Sequence, residues 1–271
     1  MRLSSISRGR ALLCLAALLL LPLCAVVQAA ETKPVLLYSR YFNAQGEKRY
    51  LADGTYAEIL KHLGNNFIVR TNAEPLRAQT LTGVAVVVIA NPSDQAVGTN
   101  PAPPHCSAED VASLVTYIED GGGLIVMGNQ ENHNYETKDM NVLLGHFGMQ
   151  FVDTYTDAKQ LIIPISAPII GGKKWAYYTG NQIVVQSDHT ANPQALVVND
   201  LTQKALGGPR DAAGVLMSMA TPGKGHVVLV TDAGWIINDA LSGKGIGKVA
   251  ITEHDNAEIF TLICRWSAGM K

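Results

Sequence analysis

Short apolar runs recur along the chain and predict the strands of a sheet. The runs are Pro34–Ser39, Phe67–Val69, Val84–Ala90, Leu124–Met127 and His226–Thr231. The Val84–Ala90 run is apolar throughout and rich in β-branched residues, which is typical of a strand buried on both faces of a parallel sheet.

Stretches with apolar residues at helical spacing lie between these runs. Ser107 is a good N-cap residue, and Glu109 and Asp110 place negative charge in the first turn of the helix that it opens. That helix ends at Gly121. The other predicted helices are Tyr56–Leu63, Met140–Phe147 and Asn256–Ala268.

The alternation of strands and helices predicts an α/β fold. We expect a flavodoxin-like three-layer sandwich with a mostly parallel central sheet. Between residues 151 and 220 the pattern changes to short apolar runs separated by Gly, Pro and Asn, which predicts an antiparallel edge lobe. Residues 30–271 are therefore expected to form a single domain that includes this lobe.

Residues 1–29 have the pattern of a secretory signal peptide. Arg2, Arg8 and Arg10 precede an apolar run, and small residues flank Gln28 at the expected cleavage site near Ala29. The alternative is an uncleaved anchor, but the run is about 17 residues long, the short limit for a span. We expect a secreted or periplasmic protein without a later membrane span.

Composition excludes several classes of protein. The chain is 47% hydrophobic and 16% charged, which is not the composition of a disordered protein. Its formal net charge of −2 argues against a nucleic-acid partner. Two cysteines lie beyond the signal segment, Cys106 and Cys264, and they could be paired or remain as buried free thiols.

Polar residues follow the predicted strands at the edge where open parallel sheets bind ligands. Arg40 follows the first strand and Asn91 follows the Val84–Ala90 strand. After Met127 comes a polar turn, in which Glu131 could act as a general acid or base and His133 titrates near neutral pH. The amides of this turn could orient ligand hydroxyl groups; they are Asn129, Gln130 and Asn132. A solvated loop is the alternative.

Two later segments add candidate residues. Asp232, Trp235 and Asn238 combine a carboxylate, an aromatic ring and an amide, a set that suits a sugar, unless Trp235 is core and Asp232 caps a helix. His254 and Asp255 precede the last helix, which Asp255 could equally cap.

No metal site or cofactor is predicted from the spacing of polar residues. His133, His189 and His254 have acidic or amide neighbours, but no pair of them has the local spacing of metal ligands.

Several segments resemble the class I glutamine-amidotransferase-like superfamily, in particular its secreted branch related to trehalose-utilisation-type proteins. The segments are Val84–Ala90, Ser107–Asp110, Tyr117–Val126, Gly223–Val228 and Asp255–Phe260. The resemblance spans about residues 34–268 and implies the flavodoxin-like fold.

The chain differs from this superfamily at the residues that carry out the superfamily's reaction. In true amidotransferases, a nucleophilic Cys lies in a Gly-x-Cys-x-Gly elbow. Here Gln130 stands at the Cys position and Asn132 replaces the second Gly. The His-x-Glu pair near the C-terminus is also absent, since the chain has His254-Asp255-Asn256. Glutamine hydrolysis through a thioester is not expected.

Three hypotheses follow. The first is an exported protein that binds a small-molecule or glycan ligand, of carbohydrate type, in a cleft at the strand ends. The second is a hydrolase or lyase acting on carbohydrates, in which Glu131 or Asp232 works with His133 or His254. The third is a structural partner in an envelope assembly, with protein partners that the sequence does not identify.

Overall fold

The computed structural model of the chain describes residues 32–43, 47–130, 133, 135–208 and 210–270. The predicted signal peptide, Glu131 and Asn132 lie outside the described residues. Among those described, no helix has the length and apolar character that crossing a membrane requires. Cys106 and Cys264 are both buried free thiols.

Eleven strands are found in the described residues, and nine of them join one sheet in the order β2-β1-β3-β4-β11-β10-β8-β5, with β9 also paired to β10. The remaining two, β6 and β7, form an antiparallel hairpin. The strands are β1 Val35–Ser39, β2 Ile68–Asn72, β3 Val84–Ala90, β4 Gly123–Met127, β5 Met149–Thr156, β6 Lys159–Ile162, β7 Lys174–Tyr177, β8 Gly180–Val185, β9 Gln194–Asn199, β10 Gly214–Ala220 and β11 His226–Val230.

The first five strands of the sheet, β2-β1-β3-β4-β11, are parallel to one another. The pairings of β10, β8, β9 and β5 are antiparallel. The predicted fold class is confirmed. The segment expected as an edge lobe supplies the four antiparallel strands that continue this sheet, together with the β6–β7 hairpin.

Helices cover both faces of the sheet. They are α1 Ala57–Leu63, α2 Ala78–Leu81, α3 Ala108–Glu119, α4 Lys138–Gly145, α5 Asn238–Leu241 and α6 Asn256–Ser267. The side chains of β3 alternate between two apolar clusters, with Val86 and Val88 in one and Val87 and Ile89 in the other. The first cluster includes residues of α1 and α6, and the second those of α3 and α4. Burial on both faces explains why this strand is apolar throughout.

Helix α3 begins as its sequence predicts. The Ser107 hydroxyl accepts a hydrogen bond from the Asp110 backbone, and the Asp110 carboxylate accepts one from the Ser107 backbone. This reciprocal capping box satisfies two N–H groups that the helix itself cannot bond.

Candidate functional site

The carboxyl ends of the parallel strands lie along one edge of the sheet. From β1 the chain moves outward to β2 and then returns to form β3 on the other side of β1. The strand order therefore reverses between β1 and β3, which is where open α/β sheets form a ligand crevice.

A cavity of about 830 Å³ lies beside the ends of β1 and β2, and we call it the switch-point cleft. Its volume is within the range of small-molecule sites. The residues that line it are Arg40, Asn43, Glu47, Lys48, Leu51, Ala52, Asp53, Thr71, Asn72 and Ala73. Arg40, which the sequence predicted as a ligand residue, is one of these lining residues.

Within the part of the chain that the structure describes, three lining residues of the cleft carry buried polar atoms that have no hydrogen-bond partner. They are Arg40 through Nε, Asn43 through Oδ1 and Asn72 through both amide atoms. The other end of the Asn43 amide is bonded, since its Nδ2 donates to the carbonyl of Ala90 at 2.8 Å. Leaving such atoms buried and unbonded costs free energy, so each needs an explanation.

Asn91 lies between this cleft and a second polar region. Its backbone has φ +47°, in the left-handed region that Asn tolerates better than most residues. Its Nδ2 donates to the carbonyl of His133 at 3.3 Å, and its buried Oδ1 has no partner among the described residues.

The second region is a set of polar side chains bonded to one another, which we call the Arg49–His133 cluster. The Arg49 guanidinium donates to Nδ1 of His133 at 2.7 Å, and the other ring nitrogen lies 2.9 Å from the Gln130 amide. The Thr179 hydroxyl lies 3.1 Å from the same amide. The cluster comprises Arg49, Tyr50, Asn129, Gln130, His133 and Thr179.

Tyr50 and Asn129 join the cluster through a hydrogen bond of 2.7 Å, from Asn129 Nδ2 to the Tyr50 hydroxyl. Tyr50 has φ +60°, a strained conformation for an aromatic residue, and the Thr55 hydroxyl holds its backbone N–H at 2.7 Å. Glu47 lines the cleft and pairs with Arg49 at 2.8 Å, so the two regions adjoin. This hydrogen bond lowers the pKa of Glu47.

The protonation of His133 follows from its partners. An Arg side chain can only donate, so Nδ1 accepts and a neutral ring carries its proton on Nε2. That proton needs an acceptor, which the Gln130 oxygen supplies once the amide is oriented toward it. Burial lowers the pKa of His133, and the charge of Arg49 lowers it further. The ring is therefore suited to a neutral, positioning role at pH 7.

Asp232 follows β11 and lines a small cavity of about 100 Å³ together with residues of this cluster. Its carboxylate accepts hydrogen bonds from the backbone N–H of Tyr178 at 3.0 Å and of Gly234 at 2.5 Å. Burial raises the pKa of Asp232 to about 7, and the backbone donors oppose that shift. The carboxylate thus joins the turn after β7 to the turn after β11.

Trp235 is fully buried rather than exposed in a cleft. Its ring packs edge-on against Trp175, with ring centroids 5.5 Å apart, and against Phe260 at 5.8 Å. A ligand cannot stack on it in this conformation, so the expected sugar-stacking contact is not formed.

Asn238 holds the start of α1. Its Oδ1 accepts from the backbone N–H of Glu58 at 3.1 Å, and its Nδ2 donates to the carbonyl of Gly54 at 2.9 Å. Both ends of the amide are engaged by the protein, so the structure gives Asn238 a capping contact rather than a ligand contact.

His254 and Asp255 connect other elements. His254 Nε2 lies 2.9 Å from the carbonyl of Ala240, and Nδ1 accepts from the Asn256 backbone at 3.3 Å. The Asp255 carboxylate accepts from the Lys174 backbone N–H at 2.8 Å, which ties the start of α6 to β7. These bonds lead away from the Arg49–His133 cluster, and neither residue lines the two cavities described above.

The structure thus brings Asn91, Asn129, Gln130, His133 and Asp232 to one region and places Arg40 in the adjoining cleft. Sequence reasoning missed the other polar groups of both regions: Asn43, Arg49, Tyr50, Asn72 and Thr179. Asn72 is the last residue of β2. A predicted strand that extended beyond Val69 would have placed it among the polar residues at strand ends. The remaining four lie in loops or turns without a local signal.

Solved structures of low sequence identity share this fold. The mmIFT52 N-terminal domain gives a TM-score of 0.62 at 15% identity, covering 86% of this chain and 97% of that one. Cytoplasmic protein STM1381 from Salmonella typhimurium LT2 gives 0.50 at 13% identity, over 86% and 99% of the two chains. A ThuA-like protein from Bacteroides uniformis gives 0.50 at 12% identity, over 88% and 93%.

No protein-family model and no curated protein matches the chain. At these identities the structural likeness shows the α/β fold alone. The ThuA-like neighbour is compatible with the fold that the resemblance to the amidotransferase-like superfamily implies.

Proposed function

We propose that the protein binds a small ligand of carbohydrate type in the switch-point cleft. The observation that carries the proposal is the set of buried polar atoms on Arg40, Asn43 and Asn72 that find no partner in residues 32–43, 47–130, 133, 135–208 and 210–270. A protein that only needed to fold would gain by bonding these atoms internally or by replacing them with apolar groups.

The chemistry of the lining residues suits a ligand with several hydroxyl groups. Each hydroxyl both donates and accepts, and an Asn amide can meet both functions at once. Glu47 and Asp53 can accept from further hydroxyls, while Arg40 and Lys48 can only donate. A ligand that turns the Asn72 amide toward itself would supply partners for both of its polar atoms.

The contacts favour binding over catalysis. Asp232 is engaged by backbone N–H groups, and His254 bonds to the Ala240 carbonyl away from the cluster. Glu131, the other acid of the catalytic hypothesis, lies outside the described residues. We also propose that the chain is not a glutamine amidotransferase, because Gln130 is bonded within the cluster and both described cysteines are buried elsewhere.

A thermal-shift screen against neutral sugars, oligosaccharides and uronic acids tests this proposal, because a ligand that binds only the folded state raises the melting temperature. We expect at least one sugar to do so, and we expect Asn72→Ala and Arg40→Gln to lose the effect. Asn65→Ala is the matched control, since Asn65 is exposed and precedes β2 at the opposite edge of the sheet. A shift retained in both cleft variants, or no shift from any sugar, would overturn the proposal.

Export is a separate proposal that rests on the charged start and apolar run of residues 1–29. Expression of the full chain in a Gram-negative host, followed by N-terminal sequencing of the periplasmic protein, tests it. We expect a chain that begins at Ala30. A full-length chain that stays in the cytoplasm would contradict it.

A further inference from the structure

A group of potential metal ligands lies outside both polar regions. His105 comes from the long loop between β3 and α3, Glu136 lies two residues before α4, and Asp139 lies in the first turn of α4. One ligand atom from each lies within 4.8 Å of the other two. Nδ1 of His105 is 2.9 Å from the Asp139 carboxylate.

Glu136 is the buried member of this group, with 4% of its surface exposed. Its two oxygens accept from the backbone N–H groups of Asp139 at 2.7 Å and Met140 at 3.1 Å. In the described part of the chain, no Lys or Arg forms an ion pair with it. Buried carboxylates are ordinarily paired with a cation or bound to a metal, and each oxygen of Glu136 retains a lone pair for one.

The local charge favours a divalent cation. The two carboxylates contribute about two negative charges. The positive end of the α4 helix dipole offsets only about half of one charge. A neutral His105 adds nothing to this balance. The site therefore keeps an excess of negative charge that a doubly charged ion would neutralise.

The identity of the ligands indicates which ions fit. One imidazole nitrogen with two carboxylate oxygens suits Zn²⁺ and similar transition-metal ions better than Mg²⁺ or Ca²⁺, which prefer oxygen alone. The His105 and Asp139 side chains are 43% and 33% exposed, so solvent can reach the remaining coordination positions.

We propose that His105, Glu136 and Asp139 bind one divalent transition-metal ion. The ion takes the place of the proton that now lies between His105 Nδ1 and the Asp139 carboxylate. The neutral ring then carries its proton on Nε2, which leaves the Nδ1 lone pair for the ion. The loop between β3 and α3 is already attached at its start to the segment that precedes α4, because the Glu136 backbone N–H donates to the Pro92 carbonyl at 2.8 Å. The metal adds an attachment at the far end of the loop.

Calorimetric titration of the chelator-treated full chain with Zn²⁺ tests the site. We expect one saturable site per chain, weakened roughly tenfold or more by His105→Ala and by Asp139→Asn. His62→Ala is the matched control, because His62 is an exposed histidine on α1. Thermal unfolding without metal verifies that each variant is folded.

Co²⁺ provides a second readout, since its visible absorption reports coordination by the protein. We expect the bands in the unaltered chain and in His62→Ala, and their loss in His105→Ala. Absence of saturable Zn²⁺ binding, or equal binding by His105→Ala and the unaltered chain, would overturn the proposal. The sugar-binding proposal rests on Arg40, Asn43 and Asn72, none of which belongs to the metal site. Failure of one proposal therefore leaves the other standing.

Discussion

The two polar regions at the carboxyl edge of the sheet differ in how their hydrogen bonds are satisfied. In the Arg49–His133 cluster, polar side chains bond to one another, and Asp232 beside them bonds to the backbone. In the switch-point cleft, Arg40 and Asn72 have buried polar atoms to which no described residue is hydrogen-bonded. Both regions follow strand ends and both are rich in amides and charges.

This difference separates groups that hold the fold from groups available to a ligand. A polar group already bonded within the protein gains little from a ligand, because it must exchange one partner for another. A group without a partner gains a full hydrogen bond. The comparison therefore predicts large stability effects in the bonded region and small ones in the cleft.

The largest effect is expected from Asp232→Ala. The change leaves the buried N–H groups of Tyr178 and Gly234 without their acceptor, which should lower the free energy of unfolding by about 2–4 kcal/mol. Urea denaturation measures it. Asp53→Ala is the control, because the exposed Asp53 lines the cleft and should change stability by less than about 0.5 kcal/mol. Equal effects of the two variants would remove the distinction between the regions.

Asp232 should also shape the pH dependence of stability. Its pKa rises from 3.8 to about 7 on folding, so the native state binds more protons than the unfolded state between these values. This group therefore makes stability fall as pH rises through that window, by up to about 1.4 kcal/mol per pH unit. An amide at this position does not titrate, so the unfolding free energy of the unaltered chain should decline relative to that of Asp232→Asn. Parallel pH profiles would show that Asp232 ionises normally.

The sequence pattern predicted four of the five parallel strands well, because β1, β3, β4 and β11 are largely buried. The Val84–Ala90 run is β3 with the same bounds. β2 was predicted too short, since Arg70, Thr71 and Asn72 lie on an edge strand that is largely exposed. The polar residue that ends this strand was therefore missed.

Trp235 shows a second limit of local patterns. Its polar neighbours in the sequence left both a sugar-stacking ring and a core ring open, and the structure gives the core ring, with partners Trp175 and Phe260 from β7 and α6. β7 has only four residues and was not predicted. Contacts between elements that are far apart in the sequence decide whether an aromatic residue is buried. The residues next to it in the sequence do not reveal those contacts.

A smaller effect is expected from Asn238→Ala. Loss of the cap at α1 should lower the free energy of unfolding by about 1 kcal/mol. Calorimetric melting measures it, with Asn65→Ala as the control. If Asn238→Ala instead preserved stability and abolished the sugar-induced shift, the amide would belong with the ligand-binding groups.

The smallest effect on stability is expected from Asn72→Ala, although Asn72 belongs to the proposed binding cleft. Neither polar atom of its amide is bonded to a residue in the described part of the chain, so the change removes no hydrogen bond seen there and should alter the free energy of unfolding by less than about 0.5 kcal/mol. The same variant should lose the sugar-induced rise in melting temperature. Both readouts come from one melting experiment, with and without sugar. A loss of stability above about 1 kcal/mol would show that Asn72 holds the fold, as Asp232 does, and the cleft would then not differ from the cluster beside it.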